Sequence, residues 1–127
     1  MARQGLLGEI IHTEGAYIHD LRKSKFDGYY KQWRLEFSKY HTGNPYPTHG
    51  LGPIAQILGI NQGDRMEYLS SVSTNQFGLS LYARNNFKED ERITLSERYR
   101  LGDMNTTIIR TVNGKSIMLQ HDTTSPR

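Results

Sequence analysis

The chain has 127 residues, enough for one domain; at 35% hydrophobic residues and a mean hydropathy of −0.69, its core is small for that length. It contains no cysteine, which excludes disulfides, thiolate metal ligands and a cysteine nucleophile, and no apolar run approaches a membrane span. The net charge is +3, but lysine and arginine are dispersed among acids, as in Lys88-Glu89-Asp90-Glu91-Arg92, where a nucleic-acid face would show a clustered stripe.

Met1 to Gly5 shows no signal-peptide pattern and leads straight into a strand-like segment. Gly8 to Ile18 reads as a strand rich in β-branched residues, with His12, Glu14 and Ala16 on one face and Thr13, Gly15 and Tyr17 on the other. Both faces are mixed, as on a strand that lines a pocket or meets a second layer. His19 to Tyr29 is polar and reads as irregular. Tyr30 to Phe37 reads as a second strand, with Trp33 and Leu35 on one side and Arg34 on the other.

The Pro- and Gly-rich stretch Thr42 to Pro53 follows. After it Leu51, Ile54, Ala55 and Leu58 recur at helical spacing, which predicts a helix from about Gly50 to Leu58. Thr48 is the expected N-cap, Pro53 falls in the first turn, and Gly59 is the stop. Met66 to Val72 reads as a strand, Phe77 to Asn86 as a short helix, and Asn86 to Glu91 as a charged loop. Thr106 to Thr111 and Ser116 to Gln120 flank Asn113-Gly114, which predicts a hairpin closed by a type I′ turn. No repeat or linker is visible. The short lead-in at Gly5 to Gly8 and the stop at Ser125-Pro126-Arg127 suggest a piece of a longer protein.

Chemistry concentrates near the predicted helix start. There His49 meets free backbone N–H groups, a setting that suits a neutral imidazole able to hydrogen-bond a polar ligand or take a proton. The alternative is a helix end with an incidental histidine. Gly50-Leu51-Gly52-Pro53-Ile54-Ala55 fits G-x-G-x-x-A, but a dinucleotide loop must follow a buried strand, and Asn44-Pro45-Tyr46-Pro47 cannot be one. The glycines are expected instead to permit close backbone approach, to the sheet or to a ligand.

The five histidines show no metal-ligand spacing, so no metal site is expected. Asn105-Thr106-Thr107 matches the glycosylation sequon, a pattern that also arises by chance. Arg34 beside Trp33 offers donors next to an aromatic plate, as sugar sites do; the plain alternative is an arginine on an exposed face. No Ser-His-Asp order or G-x-S-x-G elbow appears. Glu14, Asp20, Glu36 and Asp64 are available carboxylates, but nothing selects a glycosidase pair among them.

Several blocks together resemble a known family: Gly8-Glu9-Ile10; Glu14-Gly15-Ala16-Tyr17-Ile18-His19-Asp20-Leu21-Arg22; Gln32-Trp33-Arg34; Gly43-Asn44-Pro45-Tyr46-Pro47-Thr48-His49-Gly50-Leu51-Gly52-Pro53; Asn61-Gln62-Gly63-Asp64-Arg65; and Gln120-His121-Asp122 with Ser125-Pro126-Arg127. In this order they are similar to the C-terminal domain of the NAD-dependent glycosidases of glycoside hydrolase family 109, typified by α-N-acetylgalactosaminidases. That family lies within the glucose–fructose oxidoreductase, inositol dehydrogenase and MocA superfamily.

The resemblance implies an α+β fold, a mainly antiparallel open sheet with helices on one face. It implies hydrolysis of N-acetylgalactosaminides or related glycosides by oxidation at C3, loss of the C2 proton, elimination of the aglycone, addition of water and reduction. NAD would be the cofactor, held mostly outside this chain by an N-terminal Rossmann domain that this sequence lacks, so the chain alone would be inactive. Tyr17, Arg34, Tyr46, Pro47, Thr48 and His49 would bind the carbohydrate, with His49 and Tyr46 as the acid–base candidates. A homo-oligomer through the open sheet and a periplasmic or secreted parent are further implications. The competing expectations are a sugar or cyclitol dehydrogenase of the same superfamily, or a non-catalytic module that pairs through its sheet.

Overall fold

Strands form along the β-branched runs. β1 spans His12–Ile18, β2 Met66–Ser73, β3 Asn105–Thr111 and β4 Ser116–Asp122. In the computed structural model, which describes residues 1–26, 33–87 and 98–126, they make one open sheet in the order β1-β4-β3-β2. β2–β3 and β3–β4 are antiparallel, and β1 runs parallel to β4. The fold is α+β, and the four expected strand segments share one sheet.

The period of two decides the faces. Asn105, Thr107, Ile109 and Thr111 of β3 and Ile117, Leu119 and His121 of β4 point inward and are buried. Ile108 and Arg110 of β3 are exposed on the other side, as are Tyr68 and Val72 of β2, which pair with Arg110 and Thr106.

β1 starts at His12 rather than Gly8. Gly5 and Gly8 take positive φ (69° and 67°) and turn the lead-in, with the Gly8 N–H donating to the Gly5 carbonyl at 3.1 Å. Beyond Ile18, the His19 and Leu21 N–H groups still reach the Asp122 and Thr123 carbonyls.

The hairpin is present, but its turn is not type I′. Only Gly114 has positive φ (83°), and its N–H donates to the Thr111 carbonyl at 3.0 Å. The connection is a three-residue loop, Val112 to Gly114, closed by the Thr111 N–H on the Lys115 carbonyl. Asp64 holds it there, accepting from Asn113 N–H and Thr111 Oγ1, while Asn113 Nδ2 donates to the Gly63 carbonyl.

Four helices accompany the sheet among the described residues: α1 (Arg22–Phe26), α2 (Trp33–Tyr40), α3 (Pro47–Leu58) and α4 (Gly78–Asn86). α3 packs on the inner face through Ile54 and Leu58, against Ile109, Ile117 and Leu119, as its period predicts. It begins at Pro47, three residues before the expected start, with Tyr46 in the N-cap position and no side-chain cap. Thr48 therefore lies inside the first turn and is not the N-cap, and Pro53 lies mid-helix. Gly59 ends the helix in the left-handed region (φ 69°), and the Ile60 N–H donates to the Ala55 carbonyl.

Two expectations are corrected here. The stretch from His19, expected to be irregular, contains α1, a five-residue helix too short to show a period. Asp20 braces its start, accepting from the Arg22 N–H at 3.1 Å and the Arg22 guanidinium at 2.8 and 2.7 Å. Trp33 to Phe37, expected as strand, is helix α2, which carries the good helix formers Arg34, Leu35, Glu36 and Lys39 and a Glu36–Lys39 ion pair at 2.7 Å. Helical spacing buries Leu35 and Ser38 together. Leu35 joins Phe26, Leu79, Ala83 and Tyr99 in a second core. Tyr30 to Gln32 of the expected strand, Asp27 to Tyr29 of the expected irregular stretch, and Lys88 to Glu91 of the charged loop lie outside the described residues.

Candidate functional site

The inner face of the sheet ends in aromatic side chains. Tyr17 projects inward from β1, beside His121 of β4 in register. The start of α3 can lie directly over Tyr17 because two glycines meet there. A Cβ on Gly50 would stand 2.9 Å from the Gly15 carbonyl carbon and 3.0 Å from the Ala16 nitrogen. This is the close approach that the glycines were expected to permit, and it is to the sheet.

With α3 seated, Tyr17 touches both Tyr46 and His49, at ring-centroid distances of 4.6 and 4.5 Å. His19 contacts Tyr17 edge-on at 4.5 Å. Behind them lies His121, stacked at 6.1 Å from Tyr17 (8° between planes) and 5.8 Å from Tyr46.

α2 adds the charged edge. The Arg34 Nε donates to the Tyr46 hydroxyl at 2.9 Å, and the guanidinium lies 4.5 Å over the Trp33 ring. The Tyr46 N–H donates to Asn44 Oδ1 at 2.9 Å, which fixes the loop before α3. Burial raises the Tyr46 phenol above its usual pKa, and the Arg34 hydrogen bond only partly opposes this. Tyr46 therefore stays protonated at neutral pH and can donate.

Tyr17, Arg34, Tyr46 and His49 thus form one cluster drawn from β1, α2 and α3. Pro47 and Thr48 complete the first turn of α3, where His49 is the third residue. Tyr17, Arg34, Tyr46 and Pro47 are partly buried, whereas Thr48 and His49 are exposed. Arg34 reaches the cluster from a helix rather than from the expected strand.

His12 lies apart, on the outer sheet face, where its Nδ1 meets Ser116 Oγ at 2.7 Å. The four carboxylates lie elsewhere. Asp20 grips Arg22, Glu36 pairs with Lys39, and Glu14 stands 3.4 Å from His12. Asp64 serves the hairpin loop. Burial alone would raise its pKa, but bonds from Thr111, Arg65 and Asn113 hold it below the usual value. The sequon asparagine, Asn105, is 1% exposed and donates through Nδ2 to Ser71, Val72 and Ser73, so it is no glycan acceptor in the folded chain. No group of three or more His, Asp or Glu side chains could hold a metal among the described residues.

Two residues of this region escaped the sequence reading. His121 was noted only as a neighbour of Asp122, although alternation from Ile117 and Leu119 carries it inward. Lys25, in the basic run Arg22 to Lys25, is 3% exposed, with its Nζ donating to Ser38 Oγ at 3.1 Å. Nothing in that run marks it as buried.

An open sheet thus carries, at one end of its inner face, an aromatic and histidine cluster beside a stacked arginine. The family model described as glycosyl hydrolase 109, C-terminal domain, matches residues 1–127, and the chain belongs to that family. It is 55% identical over 132 residues to the α-N-acetylgalactosaminidase of Bacteroides fragilis, covering 100% of this chain and 31% of that protein. It is 53% identical to glycosyl hydrolase family 109 protein 2 of Phocaeicola vulgatus, covering 100% of this chain and 32% of that protein. For protein 2 of Shewanella sp. (strain ANA-3), identity is 50%, with 28% of that protein covered. The chain thus spans about a third of the length of the curated relatives it matches.

Proposed function

We propose that this chain supplies the sugar-binding and proton-transfer wall of an NAD-dependent glycosidase acting on N-acetylgalactosaminides or related glycosides. The observation that carries this reading is the convergence of Tyr17, Tyr46, His49 and Arg34, in a family with a relative named α-N-acetylgalactosaminidase.

NAD, when bound, supplies transient oxidation at the sugar C3, which acidifies the C2–H. Among the described residues, the glycine-rich start of α3 does not form a cradle for its phosphates. Gly50 and Gly52 lie within α3, and Gly50 is filled by the sheet. What the chain offers is a surface for the sugar. Tyr17 and Tyr46 present ring area to C–H faces, and the Arg34 guanidinium presents donors to sugar oxygens. His49, exposed at the rim of the cluster, takes the C2 proton, and the protonated Tyr46 hydroxyl donates to a sugar oxygen.

The test uses the longer protein carrying this chain, with an N-acetylgalactosaminide in deuterated water. Elimination and readdition leave solvent deuterium at C2 of the released sugar. Replacing His49 by Ala or Asn lowers turnover by about 10²–10⁴, the range for a positioned acid–base group, with folding and NAD content unchanged. A product without deuterium at C2, with free reduced nicotinamide released instead, would mark a dehydrogenase. Near-normal turnover of the His49 variants would remove His49 from the mechanism.

We also propose that the outer sheet face pairs with a second copy of the chain. Support comes from the exposure of Tyr68 (61%), Val72 (68%) and Ile108 (43%) on adjoining strands of that face. Such an apolar stripe is costly to leave in water.

A further inference from the structure

His121 is the third inward residue of β4, after Ile117 and Leu119, and all three are buried. The first two are aliphatic and fill the core under α3. The third is a ring, and it is costly there: it is 0% exposed, and neither ring nitrogen has a hydrogen-bond partner among the described residues. Leucine, close to histidine in volume, would fill this place without orphaned nitrogens. Core filling alone does not account for a ring at this position.

The contacts of the ring supply a reason. Its plane lies 8° from that of Tyr17 at 6.1 Å and 28° from that of Tyr46 at 5.8 Å, so one flat surface backs both tyrosines. Neither tyrosine is fully held by other means. The Tyr17 hydroxyl makes no hydrogen bond to any described residue, so ring contacts hold that side chain. Tyr46 is tied at its N–H by Asn44 and at its hydroxyl by Arg34. The hydroxyl lies on the axis about which the ring turns, so the Arg34 bond fixes the tip and not the ring plane. A branched aliphatic chain in place of His121 offers methyl groups and no plane, and both rings can then tilt. Tyr17 also meets His19 and His49, each at 4.5 Å, so its tilt is passed on to them.

We propose that His121 is a positioning residue of the sugar-binding wall: its ring plane sets the planes of Tyr17 and Tyr46 and, through Tyr17, the place of His49. The consequence for turnover rests on the function proposed above; the ring geometry does not.

Two measurements separate positioning from core filling. In the full chain, the imidazole protons of His19 and His49 lie in the ring current of Tyr17, and neither histidine is in ring contact with His121 among the described residues. Their NMR shifts therefore report where the Tyr17 ring stands. His121→Leu should melt no lower than the native chain at neutral pH and yet move both shifts. In the longer protein it should lower kcat/KM for an N-acetylgalactosaminide by about tenfold to a hundredfold, the effect of misplacing reacting groups by up to about 1 Å. His121→Phe should return the shifts and most of the activity. His121→Met, unbranched and adaptable, serves if the Leu variant does not fold.

Native shifts in a stable aliphatic variant, or moved shifts with native turnover, overturn the proposal. So does a joint loss of melting temperature and activity that Phe does not rescue. Moved shifts, restored by Phe, in a protein that cleaves no N-acetylgalactosaminide even when unaltered support the ring placement and count against the proposed function.

Discussion

His121 combines full burial, two ring nitrogens without partners and a place behind both site tyrosines. Burial, reinforced by the nearby Lys25 charge and only partly opposed by Asp122, lowers its pKa from 6.5 to about 4. The unfolded chain therefore takes up this proton first as pH falls. The stability His121 contributes is complete above about pH 6.5 and is lost as pH drops to 4, a loss of about 3 kcal/mol for a shift of this size. His121→Phe keeps a stacking ring without a titrating group, so urea melts between pH 7 and 4 should show a flatter acid limb. A limb as steep as that of the native chain would place the acid sensitivity elsewhere. At this scale the site was half legible in the sequence. Tyr17, Arg34, Tyr46 and His49 stand in distinctive blocks. Lys25 and His121 are marked only by burial, which depends on partners far away in the chain.

The seating of α3 on β1 depends on the Gly15–Gly50 contact, because the atoms a Cβ would meet are backbone atoms that cannot rotate away. Gly50→Ala should lower stability by about 1–3 kcal/mol, as overpacking does, and loosen the Tyr17–His49 contact with it. Gly52→Ala is the control. It has nothing within 4 Å, lies mid-helix, and should raise the melting temperature, since alanine is about 1 kcal/mol better than glycine there. Equal effects in thermal melts would show that the contact does not hold the helix down. α3 was readable because its apolar residues, Leu51, Ile54, Ala55 and Leu58, repeat over two turns on one core face. α2 was misread because Trp33 and Leu35 alternate by chance, and the deciding contacts, Phe26, Leu79 and Tyr99, come from distant elements. The hairpin was readable and its turn was not: Asp64, remote in sequence, holds Asn113 in a different loop.

The α+β class of the whole molecule came with the family resemblance, and the strand and helix segments agree with it, but the parallel partner of β1 carries no local signal. The proposed pairing of copies is tested on the outer face, where Ile108→Lys places a charge mid-stripe. Light scattering should show dimer for the native chain and monomer for the variant; a native chain that is monomeric at every concentration removes the pairing. The β1–β4 ladder has a consequence in time as well as in space. β3 and β4 are joined by four residues and can meet within microseconds. His12 lies 104 residues from its cross-strand partner Ser116. At a synthesis rate of about 5–20 residues per second, β1 waits many seconds for that partner to be made. The sheet is therefore templated from its late hairpin, β1 docks afterwards, and the aromatic wall around Tyr17 is among the last features to assemble on a newly made chain.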